Sequence, residues 1–116
     1  MARRTFVFIV CSPHGRVGVS TTARLLTDFY LSRRLPVEGF DTDPHEPDYG
    51  AWFPGHVRIV DAADIKGQIS LFDRLLVNDE TPKIVDIWHR SYKRFFATVK
   101  DIDFFEEARR HGVEPI

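Results

Sequence analysis

Short apolar runs separated by polar turns predict five β-strands in this chain. The first, residues 5–11, is continuously apolar and rich in β-branched and aromatic side chains. Such a run is typical of a central parallel strand that is covered on both faces. Further runs follow at 37–41, 57–60 and 83–88, and residues 113–116 look like the start of a fifth strand.

The segments between these runs repeat apolar residues at helical spacing. They predict helices over 20–33 and 68–77, a third that Ser91 can cap, and a fourth that begins at Asp103 and is closed by Gly112. We expect the first helix to have an apolar face made of Ala23, Leu25, Leu26, Phe29 and Tyr30.

Strands that alternate with helices predict an α/β fold over residues 1–116: a parallel sheet with helices on both faces and right-handed crossovers. In such sheets, ligands bind at the carboxyl ends of the strands. The loop after the first strand, Asp41 at the end of the second and Asp86 in the fourth all fall at that edge. Residues 42–50, rich in Pro, Asp and Gly, predict a loop there. This convergence is the strongest sequence argument for a functional site.

Composition excludes several classes of protein. A chain of 116 residues with 43% hydrophobic residues suits one globular domain with one core. A net charge of −1 provides no global field that favours nucleic acid or membrane. The one cysteine, Cys11, excludes an internal disulfide framework and suits a reducing cytoplasm. No apolar run approaches the roughly 20 residues needed to span a bilayer.

The loop between the first strand and the first helix has the layout of a phosphate-binding site. Gly15 and Gly18 let backbone N–H groups approach an anion, and Ser20 stands where a hydroxyl can bind magnesium. Asp41, Asp43 and Asp86 can hold that ion through water or orient an attacking water. Two structural alternatives remain open: a tight turn explains the glycines, and helix capping explains Ser20 and Thr21.

Three segments together resemble the ParA/MinD family of P-loop ATPases. Residues 14–21 are similar to its deviant Walker A loop, K-G-G-V-G-K-[ST]-T; residues 41–44 look like its D-x-D-P segment; and residues 84–87 resemble its Walker B strand. Residues 72–75 with 85–87 look most like the conjugal-transfer and plasmid-mobilisation branch. The order and spacing of these segments agree across nearly the whole chain.

The resemblance implies a P-loop NTPase-like fold and a cytoplasmic protein of plasmid or chromosome partition or mobilisation. It implies Mg²⁺ near Ser20, Asp41 and Asp86, with Asp43 and Asp86 as catalytic residues. It also implies a homodimer, a protein partner from a partition or transfer system, and ATP phosphates bound over His14, Gly15, Arg16, Val17, Gly18, Val19, Ser20 and Thr21.

Three positions depart from the family motif. His14 replaces its signature lysine, Arg16 its second glycine and Val19 its phosphate-binding lysine. A charge-assisted contact to phosphate contributes about 1.5–3 kcal/mol, which Val19 cannot supply. Two hypotheses follow: a ParA-like ATPase, or a degenerate module that does not hydrolyse nucleotide and serves protein or DNA interaction. Whether the chain is an enzyme stays open.

Further features bear on partners. Relatives of this fold continue well past the fifth strand, so we expect a fragment or a naturally short remnant, whose residues 113–116 can support a strand-exchanged oligomer. Lys93 and Arg94 lie near aromatic residues, a pattern that can contact DNA, although an amphipathic helix explains it more simply. Trp88 either occupies space that a nucleotide needs or simply packs. We expect Cys11 to be a small core residue rather than a nucleophile.

Overall fold

The predicted α/β fold is confirmed by a computed structural model, which describes residues 4–12 and 18–116. The strands are β1 (Thr5–Val10), β2 (Glu38–Asp41), β3 (Val57–Ile59), β4 (Lys83–Asp86) and β5 (Val113–Pro115). The helices are α1 (Val19–Ser32), α2 (Asp48–Trp52), α3 (Ile65–Leu75), α4 (Tyr92–Asp101) and α5 (Phe104–Arg110), and a short 3-10 turn spans His89–Ser91.

The five strands form one parallel sheet in the order β3-β2-β4-β1-β5. The register places Asp86 directly opposite Asp41 of β2 on one side and Val10 of β1 on the other. The ends of β1, β2 and β4 therefore meet at one edge, as the sequence predicted.

Helices cover the two faces of the sheet in separate groups. Ala23 of α1 and Tyr49 of α2 pack with Ile84 on one face. On the other face, residues of α3, α4 and α5 pack with Val85 and Phe40. Successive strand residues point to opposite faces, so every residue of β4 is buried. The same alternation places Asp86 on the α1 face, together with Ile84.

The expected apolar face of α1 is wrong in part, because the buried side of the helix includes Thr27, which contacts Tyr49 of α2. Leu25 and Phe29 are 65% and 48% exposed, whereas Thr27 is fully buried. The Thr27 hydroxyl donates to the Ala23 carbonyl at 2.9 Å, so at 2.6 Å it accepts a hydrogen bond from the Tyr49 hydroxyl. A polar residue is thus buried where α1 and α2 pack together.

The predicted loop at 42–50 is also partly wrong, since α2 begins at Asp48. The N–H of Gly50 donates to Asp41 Oδ2 at 2.8 Å, and the Tyr49 side chain is fully buried beneath it. The hydrogen bond joins residues nine positions apart, and the burial of Tyr49 depends on tertiary packing. A count of turn-forming residues does not detect them.

Smaller differences concern the ends of elements. β4 ends at Asp86 rather than at residue 88, and α3 begins at Ile65 rather than at residue 68. Ser91 precedes α4, but its hydroxyl makes no capping bond. β1 is not covered on both faces throughout, because Phe6 is 44% exposed beside the three-residue β5.

Two further observations concern surfaces. Within the part of the chain that the structure describes, no helix is long and apolar enough to cross a membrane. The edge strand β5 is short and contains Pro115, which has no N–H to donate to a neighbouring strand. The short length of β5 and its proline both oppose edge-to-edge pairing of sheets.

Candidate functional site

A cleft of about 620 Å³ opens at the carboxyl edge of the sheet. A volume of this size falls in the range of small-molecule and cofactor sites. It is lined by the first turn of α1, by the ends of β2 and β4 and by the loops that follow them. The segments are 18–21, 41–48 and 86–90.

The first turn of α1 presents backbone N–H groups at this cleft. Gly18 precedes the helix with φ 84°, in the left-handed region that a residue with a Cβ adopts only with strain. Ser20 and Thr21 lie inside the first turn, so the interpretation of both as caps is wrong. The first N–H groups of a helix have no intrahelical acceptor and carry partial positive charge, which favours anions.

Ser20 and Asp86 are joined directly. The Ser20 hydroxyl donates to Asp86 Oδ2 at 2.8 Å, and Asp86 is only 4% exposed. Because β1 and β4 are neighbours, the helix that follows β1 starts beside the last residue of β4. Two of the three residues that the sequence assigned to magnesium are therefore joined directly, and the third, Asp41, lies opposite Asp86 in the sheet.

Burial raises the pKa of Asp86 to about 6. The hydrogen bond from Ser20 lowers this pKa, while the negative charges of Asp41, Asp43 and Asp48 raise it further. Ionisation of Asp86 is therefore energetically less favourable in the folded protein than in the unfolded chain. A cation placed beside it would relieve that cost.

Asp41 is held more firmly than the sequence suggests. Its Oδ1 accepts the N–H of Asp43 at 3.0 Å, and its Oδ2 accepts the N–H of Gly50 at 2.8 Å. Burial raises the pKa of Asp41, and these two donors lower it. Asp41 therefore fixes the start of the following loop and α2, and each oxygen keeps a lone pair for a ligand.

Asp43 lies on the wall of the cleft and shapes its own loop. Its Oδ1 accepts the N–H groups of His45 at 3.0 Å and Glu46 at 3.1 Å. Its predicted role in orienting water stays a prediction.

Thr42, between Asp41 and Asp43, is a fully buried residue that supports the cleft, a role that the sequence did not indicate. Its hydroxyl donates to the Asp86 carbonyl at 3.0 Å and accepts the Trp88 N–H at 2.9 Å. Its own N–H donates to the same carbonyl at 3.1 Å. Thr42 thus ties the end of β2 to the end of β4. This link becomes visible only when β2 and β4 are known to be neighbours in the sheet.

Thr42→Val is expected to destabilise the fold by about 1–3 kcal/mol, because it leaves the Trp88 N–H without its acceptor. Thr42→Ser keeps the hydroxyl and serves as the control. Urea unfolding would measure both. Equal stability of the two variants would show that the hydroxyl contributes nothing here.

A second group of cleft residues lies around Trp88, for which the sequence left open whether it packs or occupies nucleotide space. His45 meets the Trp88 ring edge-on with centroids 5.7 Å apart, and the Arg90 guanidinium lies 5.9 Å from that ring. All three side chains line the cleft. The sequence favoured a plain solvated loop at His45, whereas the structure makes it part of the cleft wall.

Acidic side chains outnumber basic ones among the described residues that line the cleft. Arg90 is the only Lys or Arg among the described lining residues. Across residues 4–12 and 18–116, no group of three or more His, Cys, Asp or Glu side chains is arranged to hold a metal ion. The lining carboxylates are those of Asp41, Asp43, Glu46, Asp48 and Asp86.

The remaining predicted residues divide into two sets. Gly18, Val19 and Thr21 line the cleft beside Ser20. The predicted phosphate-binding residues His14, Gly15, Arg16 and Val17 lie outside the described residues.

Cys11 behaves as the sequence predicted. It packs against the core on the α3–α5 face, and burial raises the pKa of its thiol. A raised thiol pKa opposes formation of the nucleophilic thiolate.

Comparisons with protein-family models, curated proteins and solved structures found no match for this chain. The function is therefore inferred from the residues and geometry of the site.

Proposed function

We propose that this chain is a cytoplasmic ParA-like P-loop domain that binds a nucleoside triphosphate, ATP by resemblance, together with Mg²⁺. Its process would be plasmid or chromosome partition, or mobilisation. The observation that carries the proposal is the 2.8 Å hydrogen bond from Ser20 to Asp86 at the start of α1. It joins the serine of the Walker A-like loop to the aspartate of the Walker B-like strand.

The donor set suits Mg²⁺. Hydroxyl and carboxylate oxygens are the ligands that this hard cation prefers, often through water. Ser20 and Asp86 would hold the ion, with Asp41 behind them in the opposing position of β2. The ion, when bound, neutralises phosphate charge and polarises the terminal phosphoryl group. The protein contributes the N-terminal N–H groups of α1 for the phosphates and the carboxylate of Asp43 to orient water.

Electrostatics support a cation-dependent site. Five carboxylates line the cleft among the described residues, and they would repel a polyphosphate that arrives without a cation. Because the pKa of Asp86 is about 6, protons compete with Mg²⁺ at acidic pH. Metal-dependent binding should therefore strengthen as pH rises from 5 to 8.

A second candidate function is a module that keeps the fold and does not hydrolyse nucleotide. The observation that favours it is Val19, the first residue of α1, which lines the cleft without a charge or a side-chain donor. Such a module would serve protein or DNA interaction, and homodimerisation suits either candidate. The short, proline-containing β5 makes strand exchange the less favourable route to a dimer.

Titration of a fluorescent ATP analogue tests the proposal. We expect the natural protein to bind it only with Mg²⁺, Ser20→Ala to weaken binding about 10-fold, and Val19→Lys to strengthen it about 10- to 100-fold through a charge-assisted phosphate contact. Ser70→Ala, at an exposed position of α3, controls for loss of a hydroxyl. Val19→Met controls for added length without charge.

Phosphate release separates the two candidates. Mg²⁺-dependent release by the natural protein supports the ATPase, and tight binding without release supports the non-hydrolysing module. No binding at millimolar ATP, by either the natural protein or Val19→Lys, would refute nucleotide binding altogether.

A further inference from the structure

A second, smaller hollow of about 370 Å³ adjoins the main cleft. It lies between the first two turns of α1 and the short helix α2. Three of its residues also line the main cleft, so a ligand seated at the start of α1 is in contact with both spaces. Its described lining is Ser20, Thr21, Arg24, Asp48, Ala51 and Trp52.

Arg24 is the only Lys or Arg among the described residues of this hollow, and it is stacked on a tryptophan. Its guanidinium carbon lies 4.5 Å from the centre of the Trp52 ring, and Trp52 is 60% exposed. No carboxylate of residues 4–12 or 18–116 forms an ion pair with Arg24. Its hydrogen-bond donors are thus not used by an acid of the described chain.

The helix directs Arg24 toward the cleft. Arg24 follows Ser20 by four residues, so the two share one face of α1. Long helical side chains lean toward the helix N-terminus, which is the end that faces the cleft. Stacking on Trp52 limits the conformations of the arginine, so less freedom is lost when its planar guanidinium binds an anion.

The charge balance of the main cleft indicates what Arg24 is for. Among the described residues, five carboxylates and Arg90 line that cleft, and Arg90 is held beside Trp88. A bound polyphosphate needs more positive charge than these described residues offer. We propose that Arg24, held against Trp52, binds the phosphates of the ligand and supplies part of that charge. This inference rests on the proposed nucleotide site.

Inorganic tripolyphosphate and ATP, each titrated with Mg²⁺ by calorimetry, test this role. We expect Arg24→Ala to weaken both ligands about 10-fold or more, and Arg24→Lys to weaken them less, because it keeps the charge and loses the fork-shaped pair of donors. Trp52→Ala should weaken both ligands by a smaller factor, since it removes only the support. Circular dichroism checks that each variant is folded.

The matched control lies directly after the last residue of the same helix. Arg33 stacks on Phe29 with its guanidinium carbon 4.3 Å from the ring centre, at the far end of α1. Arg33→Ala removes the same charge and the same kind of contact, so it should leave both affinities within about twofold of the natural protein.

Three other outcomes would overturn the inference. If Arg24→Ala equals Arg33→Ala for both ligands, Arg24 has no role in binding, while the proposed nucleotide site stands. If Arg24→Ala weakens ATP but not tripolyphosphate, the Arg24–Trp52 pair contacts the base or sugar instead. If the natural protein binds neither ligand, this inference falls together with the proposed function.

Discussion

Asp86→Asn is expected to make the free protein more stable at pH 8 and to abolish Mg²⁺-dependent nucleotide binding. Folding raises the pKa of Asp86 from 3.8 to about 6. Since one pKa unit corresponds to about 1.4 kcal/mol, keeping this buried carboxylate ionised costs about 3 kcal/mol at most. An amide still accepts the Ser20 hydrogen bond without that cost, but it offers a divalent cation no charge.

The sign of the pH dependence follows from the same shift. Between about pH 4 and pH 6, the folded protein binds more protons at Asp86 than the unfolded chain does. The free energy of unfolding of the natural protein therefore falls as pH rises through this window, and this contribution is level above about pH 7. The asparagine variant should lack this decrease.

Urea unfolding at pH 5 and pH 8, together with ATP titration, would measure both effects. Asp28→Asn, at an exposed position of α1, is the control for loss of one carboxylate. If Asp86→Asn is less stable than the natural protein at pH 8, Asp86 is a structural partner of Ser20. If the variant still binds Mg²⁺ and ATP normally, Asp86 is not a ligand.

Gly39→Ala is expected to destabilise the protein by about 1–3 kcal/mol, because β2 has no room for a side chain there. A Cβ at this position would lie 2.7 Å from Val57 Cγ2 and 2.9 Å from Tyr49 Cζ, and nearer still to the Tyr49 hydroxyl. Gly55→Ala is the control, since a Cβ at Gly55 meets no atom within 4 Å. Thermal or urea unfolding would compare the two, and equal stability would show that the ring moves aside freely.

A double variant identifies the source of the strain. Tyr49→Phe alone should cost about 1 kcal/mol, because it removes the hydrogen bond to Thr27. Combined with Gly39→Ala it should cost less than the sum of the two single changes, since the hydroxyl is the nearest obstacle. Additive costs would place the strain at Val57 instead.

The packing of Tyr49 against Gly39 also explains why the sequence predicted the α2 region only in part. The sequence predicted a loop over 42–50, and its turn-forming residues give no sign of a tyrosine buried against a glycine of β2. Likewise, the periodicity of α1 indicated Leu25 and Phe29 as core residues, and both are exposed. An amphipathic pattern shows that a helix has an apolar face, but not which neighbour selects its orientation.

The sequence by itself determined the parallel α/β fold, and it placed Ser20, Asp41, Asp43 and Asp86 at one edge of the sheet, where the structure shows that they line a cleft. It could do so because buried parallel strands are continuously apolar and their carboxyl ends meet at one edge. Only the tertiary structure decided that Ser20 bonds Asp86, that Thr42 ties β2 to β4, and that Arg24 stacks on Trp52. These contacts depend on strand order and helix packing, which join residues distant in the chain and leave no periodic signal in it.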